Sequence, residues 1–171
     1  MRKAILVCAG CLALAAVAWA QAASTMLFDF EKDAEAGAWR AARCEKSVST
    51  EHATSGKQSL KLKIPATGDS SAGIATEALP VRDWSGQTAL KFDVFADDAM
   101  SLTVSIRDRN VRATGKSYRK DFELQKGANT VVVPVADVGA DIDVKMIQAV
   151  NLIARIGADR TIYLDNVRLE K

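Results

Sequence analysis

The chain has 171 residues, 49% of them hydrophobic and 26% charged, and the part that follows residue 22 has the size of one domain. Its 23 lysines and arginines face 21 acidic residues, and two of the cations, Arg2 and Lys3, lie in a leader-like start. The rest of the chain is therefore balanced in charge, which argues against a general nucleic-acid binder.

The first 22 residues have the pattern of a secretory signal peptide. Met1–Lys3 is basic, residues 4–17 are apolar, and small residues at alternate positions end at Ala22. We therefore expect cleavage after Ala22, export to the periplasm or the extracellular space, and no transmembrane span in the mature form. The alternative is a lipoprotein anchored at Cys11, but a lipobox needs a branched apolar residue where Cys8 stands.

One cysteine, Cys44, remains after the predicted cleavage. An internal disulfide is then impossible. We expect Cys44 to be buried as a small apolar residue rather than exposed and reactive.

Strand patterns separated by turn signals fill the rest of the chain. The clearest is Ser59–Ile64, where apolar and polar residues alternate after the turn at Gly56. Further strands are predicted over residues 26–30, 41–51, 73–79, 89–95, 101–108, 117–124, 129–135, 149–156 and 161–169. This spacing predicts an all-β antiparallel sandwich or barrel, with one helical turn at 143–147 that Asp143 caps.

Alternation assigns faces to two of these strands. The residues predicted to face the core are Leu90, Phe92, Val94, Leu102, Val104 and Ile106. Those predicted to face away from it are Lys91, Asp93, Thr103, Ser105 and Arg107. These faces are well specified, because a register slip of one residue would bury the charges.

Several short motifs occur in an order found in one group of domains. They are Phe28–Glu31, Gly37–Trp39, Ser55–Leu62, Asp83–Gly86 before Leu90–Val94, Gly127–Val131 and Ile162–Val167. By these motifs the chain resembles the galactose-binding-like jelly-roll domains, which include many carbohydrate-binding modules attached to bacterial glycoside hydrolases. The resemblance implies one antiparallel jelly-roll β-sandwich over residues 23–171 and a secreted, non-catalytic domain that binds a glycan or polysaccharide on its concave sheet.

The same resemblance implies a structural calcium ion near the two chain ends. Its expected ligands are Glu31, with Asp29 as a substitute, backbone oxygens from Ser55 to Lys57, and the side chain of Asp165. Hard oxygen ligands of this kind suit calcium. The alternative is that Asp29 and Asp165 make only hydrogen bonds.

The predicted glycan site combines charged side chains with one aromatic ring: Asp93, Arg107, Tyr118 and Lys120. An exposed ring stacks on a sugar, and an arginine fork suits a carboxylate or a sulfate. The alternative for the cations of this hairpin is a solvated tip.

The remaining tryptophans and the histidine are interpreted as scaffold. Trp39 and Trp84 lie in motifs that recur in this fold, so both are predicted to be core. The one histidine, His52, lies in the motif before Gly56, and no catalytic motif appears. We therefore predict no enzyme, with a two-carboxylate glycosidase as the lesser alternative.

The main alternative to glycan binding is a domain of the cell envelope that packs on a protein partner. Exposure of Phe95, Tyr118 and Phe122 together, with apolar neighbours and no groove, would favour that function. A groove lined by aromatic residues with polar neighbours would favour a glycan.

Overall fold

The fold is a sandwich of two antiparallel sheets, seen in a computed structural model that describes residues 24–68 and 70–171. The predicted signal peptide lies outside the described residues. The strands are β1 (Ser24–Phe28), β2 (Trp39–Ala42), β3 (Glu45–Ser49), β4 (Ser59–Ile64), β5 (Ala72–Thr76), β6 (Ala89–Ala96), β7 (Met100–Asp108), β8 (Tyr118–Leu124), β9 (Gly127–Pro134), β10 (Ile147–Ala154) and β11 (Arg160–Glu170). The helices are α1 (Asp33–Gly37), α2 (Val111–Thr114) and α3 (Val135–Asp141), with a 3₁₀ turn over Val144–Met146.

The two sheets have distinct strand orders. One sheet has six strands in the order β3-β4-β11-β6-β9, with β1 also paired to β11. The other has five strands in the order β2-β5-β10-β7-β8. This architecture confirms the predicted antiparallel jelly-roll sandwich.

The predicted faces are confirmed in both strands where alternation was clear. In β6, Phe92 and Val94 are 1% exposed, whereas Asp93 and Phe95 between and beside them face away from the core. In β7, Val104 and Ile106 are fully buried, and Thr103 and Arg107 lie on the opposite side. Burial of these apolar side chains between the sheets is the main force that holds the sandwich together.

Both described tryptophans are core residues, as predicted. Trp39 is 1% exposed and Trp84 is fully buried. The ring of Phe28 meets Trp39 edge to face at 5.4 Å between centroids. The indole N–H of Trp84 donates to the carbonyl of Val81 at 3.1 Å, which satisfies its polar atom in the core.

The structure differs from the sequence prediction between residues 39 and 51. Residues 41–51 were expected to form one strand, but β2 and β3 belong to different sheets. The chain crosses between the two sheets at Arg43. The backbone φ of Arg43 is 55°, a left-handed conformation that residues other than glycine rarely adopt. The sequence does not mark this corner, because glycine is the residue that usually signals a left-handed position and an arginine stands here.

Helical structure was partly anticipated. The 3₁₀ turn has the predicted cap, since the side chain of Asp143 accepts from the N–H of Lys145 at 2.9 Å. Helix α3 was not predicted, and it directly follows Pro134, which ends β9. Within the described residues, no helix combines the length and apolar character that crossing a bilayer requires.

Substituting Gly73 tests the close approach of β5 to β10. A Cβ atom on Gly73 would overlap the backbone oxygen of Leu152, which cannot move without disturbing the ladder. We expect Gly73→Ala to lower the free energy of unfolding by about 1–3 kcal/mol, measured by chemical denaturation. The control is Gly37→Ala in α1, where the new methyl meets nothing within 4 Å. Equal stability of the two variants would contradict this packing.

Candidate functional site

A trough crosses the outer face of the five-stranded sheet. It consists of two adjoining depressions that share Ile153. The first, of about 230 Å³, is lined by Arg40, Ala42, Ser71, Ala72, Gly73, Ile74, Ala75, Asn151 and Ile153. The second, of about 470 Å³, is lined by Ser101, Thr103, Arg119, Lys120, Asp121, Ile153 and Arg155. Small side chains keep the floor low, and charged side chains stand at its edges.

One acidic residue holds two arginines at the first depression. Glu77 lies directly after β5, and its Oε1 is 3.4 Å from Nη2 of Arg40 and 3.6 Å from Nη2 of Arg107. The Nε of Arg107 is buried and has no hydrogen-bond partner among the described residues. These pairs are partly exposed, so they orient the guanidinium groups more than they stabilise the fold.

Polar groups on the floor are also prepositioned. Asn151 donates from Nδ2 to the carbonyl of Ser105 at 3.1 Å, which fixes the amide plane on β10. Thr103 donates to Oδ1 of Asp121 at 2.6 Å across the β7–β8 ladder. No aromatic side chain lines either depression, so this part of the described chain offers hydrogen bonds and charge instead of a stacking platform.

The four residues predicted to form the glycan site do not share a face. Arg107 lies on the outer face of the five-stranded sheet, but Asp93 lies on β6 in the other sheet. Asp93 accepts hydrogen bonds from Thr130 at 2.8 Å and Asn166 at 2.8 Å. Its oxygens therefore link neighbouring strands of the six-stranded sheet. Alternation predicts the face of a strand, but it does not predict the sheet that the strand joins.

Tyr118 and Lys120 lie on the core-facing side of β8, contrary to the prediction that they line the polar face. The ladder pairs Tyr118 with Ile106 and Lys120 with Val104, and both partners are core residues. Tyr118 is 4% exposed, and burial raises the pKa of its hydroxyl, assisted by the charges of acidic residues in α3. Lys120 borders the second depression, but its side chain extends on the core-facing side of β8 to the edge of the sandwich, where its ammonium lies 3.3 Å from Asp137.

The faces of the residues in β8 were predicted wrongly because its sequence does not alternate clearly. Three charged residues in a row follow Tyr118, so the sequence does not show which of them alternate with the core. The structure places Arg119 and Asp121 on the outer face instead. Sequence reasoning also missed the lining residues Arg40 and Arg155, and Glu77, which pairs with Arg40. These three residues lie at strand ends or edges, where no periodic signal marks them.

The proposed calcium ligands face backbone N–H groups in this structure. Oδ2 of Asp165 accepts from the N–H groups of Thr54 at 2.6 Å and Ser55 at 2.7 Å, and Oδ1 accepts from Asn166 at 2.7 Å. Burial raises the pKa of the Asp165 carboxyl, and the hydrogen bonds from Ser55 and Thr54 act in the opposite direction.

Glu31 has the same kind of partners on the other side of the turn. Its Oε1 accepts from the N–H groups of Lys57 and Gln58, each at 2.7 Å. The turn therefore directs N–H donors toward both carboxylates, whereas a calcium site needs oxygen ligands there. No group of three or more metal-ligating side chains occurs within the described residues. The residues present fit an amide-bound carboxylate pair, so calcium stays a prediction that this geometry does not support.

An aromatic cluster covers part of the six-stranded sheet. The ring of His52 stacks on Phe95 at 3.5 Å between centroids, and Tyr163 meets His52 edge to face at 4.6 Å. Hydrogen bonds from Lys61 and Tyr163 lower the pKa of Glu51 to about 2. The protein-partner alternative required exposure of Phe95, Tyr118 and Phe122 together, but Tyr118 is buried and the other two lie in different sheets.

Comparison with known proteins identifies the fold. No model of a known protein family matches the chain, and no curated protein matches it by sequence. The family 11 carbohydrate-binding module from Clostridium thermocellum, solved in complex with a β-1,3-1,4-mixed-linked tetrasaccharide, has a TM-score of 0.71 at 16% identity. That match covers 88% of this chain and 97% of the module.

Two further structures extend the likeness. A family 30 carbohydrate-binding module of a cellulosomal cellulase from Clostridium thermocellum has a TM-score of 0.60 at 14% identity, over 78% of this chain and 91% of that one. An exo-β-agarase has a TM-score of 0.69 at 20% identity over 85% of this chain, which spans 24% of that enzyme. The chain has the β-sandwich fold of carbohydrate-binding modules.

Chelation tests the calcium prediction directly. Because N–H donors already occupy the carboxylates of Glu31 and Asp165, we expect the melting temperature to be the same in excess chelator and in excess calcium. The measurement is thermal unfolding followed by circular dichroism, with metal analysis of the purified protein. A melting temperature that falls in chelator, together with bound calcium, would restore the calcium site.

Proposed function

We propose that this protein is an exported, non-catalytic carbohydrate-binding domain that holds a glycan in the trough on the five-stranded sheet. The observation that carries the proposal is the trough itself, an open surface lined by arginine, asparagine and hydroxyl groups on the fold of carbohydrate-binding modules. Binding sites for small ligands combine a concave surface with a few fixed polar groups, as this surface does.

Binding would rest on hydrogen bonds to sugar hydroxyls. Asn151 is fixed through its Nδ2, and no described donor occupies its Oδ1. Arg40 and Arg107 are oriented by Glu77, so less side-chain entropy is lost when they donate to a ligand. The low floor at Gly73 and Ala75 admits a chain lying across the strands.

A protein partner is less well supported, because the described part of the chain has few large apolar side chains at its surface. Met26 and Val132 are the exposed ones, at 40% and 42%. The ladder places Met26 opposite Arg168 and Val132 opposite Lys91, on strands separated by two others. They do not form the contiguous apolar patch that marks a protein interface.

A matched pair of leucine substitutions tests which face binds. Ala75→Leu fills the floor of the trough without adding a charge or a ring, and Ala128→Leu makes the same change at an exposed position of β9 on the opposite sheet. We expect Ala75→Leu to weaken glycan binding at least about tenfold, equivalent to about 1.4 kcal/mol, and Ala128→Leu to leave it unchanged.

The measurement is calorimetry on glycans first found by an array screen of residues 23–171. The screen includes mixed-linked β-glucan, agar and acidic oligosaccharides. Binding that survives Ala75→Leu and is lost in Ala128→Leu would move the site to the six-stranded sheet. Absence of binding to every glycan on the array would overturn the proposed function.

A further inference from the structure

The edge strand β9 has a fixed hydrogen-bonding pattern with its one neighbour, β6. The ladder between them is continuous from Gly127 to Pro134. Pro134 has no N–H, so it cannot exchange two hydrogen bonds with the residue opposite it, Ala89. The two residues therefore form a non-hydrogen-bonded pair. The next pair agrees with this, because the N–H of Val135 donates to the carbonyl of Thr88 at 2.9 Å.

This pattern leaves a row of main-chain groups unpaired at the free side of β9. Bonded and non-bonded pairs alternate along an antiparallel ladder, so every second residue from Gly127 onward directs its N–H and C=O to β6. The N–H and C=O groups of Ala128, Thr130 and Val132 point the other way. No hydrogen bond within the described residues uses them. A further strand could therefore pair with β9 through these groups.

β9 lacks the features that keep edge strands from pairing. Its eight residues include no charged side chain, and Val132 is 42% exposed. By contrast, β8 contains four charged residues, β3 begins with a glutamate and a lysine, and β2 has only four residues. β1 is uncharged, but it has five residues and a bulge in its pairing. Charge, short length and bulges all protect an edge, so β9 is the edge left open.

The sequence of β9 complements itself when two copies run antiparallel about Thr130. In that register Thr130 lies opposite the partner's Thr130, and Ala128 lies opposite the partner's Val132. All three pairs are then of the hydrogen-bonded type, so every unpaired group in the row finds a partner. A small side chain also meets a larger one at each end of the row, which favours close packing.

Charges on β6 do not oppose this pairing. Asp93 lies opposite Thr130, whose hydroxyl donates to its Oδ1 at 2.8 Å. In the paired copies, the two Asp93 carboxylates would lie three strand spacings apart, or roughly 14 Å. This distance exceeds the Debye length of about 10 Å at 0.1 M salt, so their repulsion is screened.

We infer that two copies of this chain pair edge to edge through β9 and join their six-stranded sheets into one. Such pairing relies on main-chain hydrogen bonds, so it needs no large apolar patch. The interface is small, and the dimer is therefore one that dissociates on dilution.

The dimer would have both troughs on the same side. A two-fold axis that relates antiparallel strands runs perpendicular to their sheet, so both five-stranded sheets lie beneath the joined one. This consequence rests on the proposed function: a polysaccharide that reaches both troughs is held at two sites and binds more tightly. A short oligosaccharide fills one trough, so its affinity does not depend on pairing.

Sedimentation equilibrium of the purified protein from about 1 μM to about 1 mM measures the self-association. We expect a monomer–dimer equilibrium in the wild type. Thr130→Lys places two lysines opposite each other across the axis, so its dimer should be at least about tenfold weaker. The control is Met26→Lys, which adds the same charge to an exposed residue of β1 and should dimerise like the wild type.

Disulfide cross-linking tests the register without weakening the pairing, in a protein that carries Cys44→Ala. Thr130→Cys brings two thiols together at a Cα separation of about 5.5 Å, which a disulfide can span. Val132→Cys should not link to itself, because the two copies of that position lie four residues apart along the strands, or about 14 Å. A mixture of Ala128→Cys and Val132→Cys should link again.

Two outcomes would overturn the inference. One is a wild-type protein that stays monomeric at about 1 mM, whatever glycan it binds. The other is Val132→Cys linking to itself as fast as Thr130→Cys, since random collision would then explain both. A dimer with the expected cross-links that binds no glycan on the array would uphold the pairing and reject the proposed function.

Discussion

The buried carboxylate of Asp165 is the interaction on which the six-stranded sheet depends. It is 1% exposed, and a carboxylate without partners at such a position would cost several kcal/mol. Thr54 and Ser55 supply the donors, so the segment that leads into β4 is held against β11. The same segment contains His52 and Gly56 in left-handed conformations, with φ of 54° and 67°, which the carboxylate contacts help to maintain.

The outer faces of the two sheets differ in how far other parts of the chain cover them. The segment over residues 51–58 covers the outer face of the six-stranded sheet, where His52 stacks on Phe95 and Thr54 donates to Asp93. Polar groups there are mostly paired with one another. No comparable segment crosses the outer face of the five-stranded sheet, as far as the described residues extend, so the trough stays open. The covered face is thus held by contacts within the protein, and the open face is the one that contains the trough.

The sequence was informative where a strand alternates cleanly and ambiguous where it does not. The faces of β6 and β7 and the burial of Trp39 and Trp84 follow from local pattern and motif, and the structure confirms them. Sheet membership is a property of long-range pairing, so Asp93 and Arg107 could not be separated from sequence. Tyr118 was misplaced because the charged residues that follow it hide the parity of β8.

The position of β11 constrains how this chain can fold. β11 is the last strand of the described residues, yet it lies inside the six-stranded sheet between β4 and β6 and also pairs with β1. Until residues 160–170 are available, the two halves of that sheet have no partner and expose open edges. Ser24 pairs with Glu170, so this sheet joins residues that lie far apart in the sequence. Its formation must therefore be slow relative to that of local hairpins. In a nascent chain, this sheet would thus remain incomplete until residues 160–170 have emerged from the ribosome.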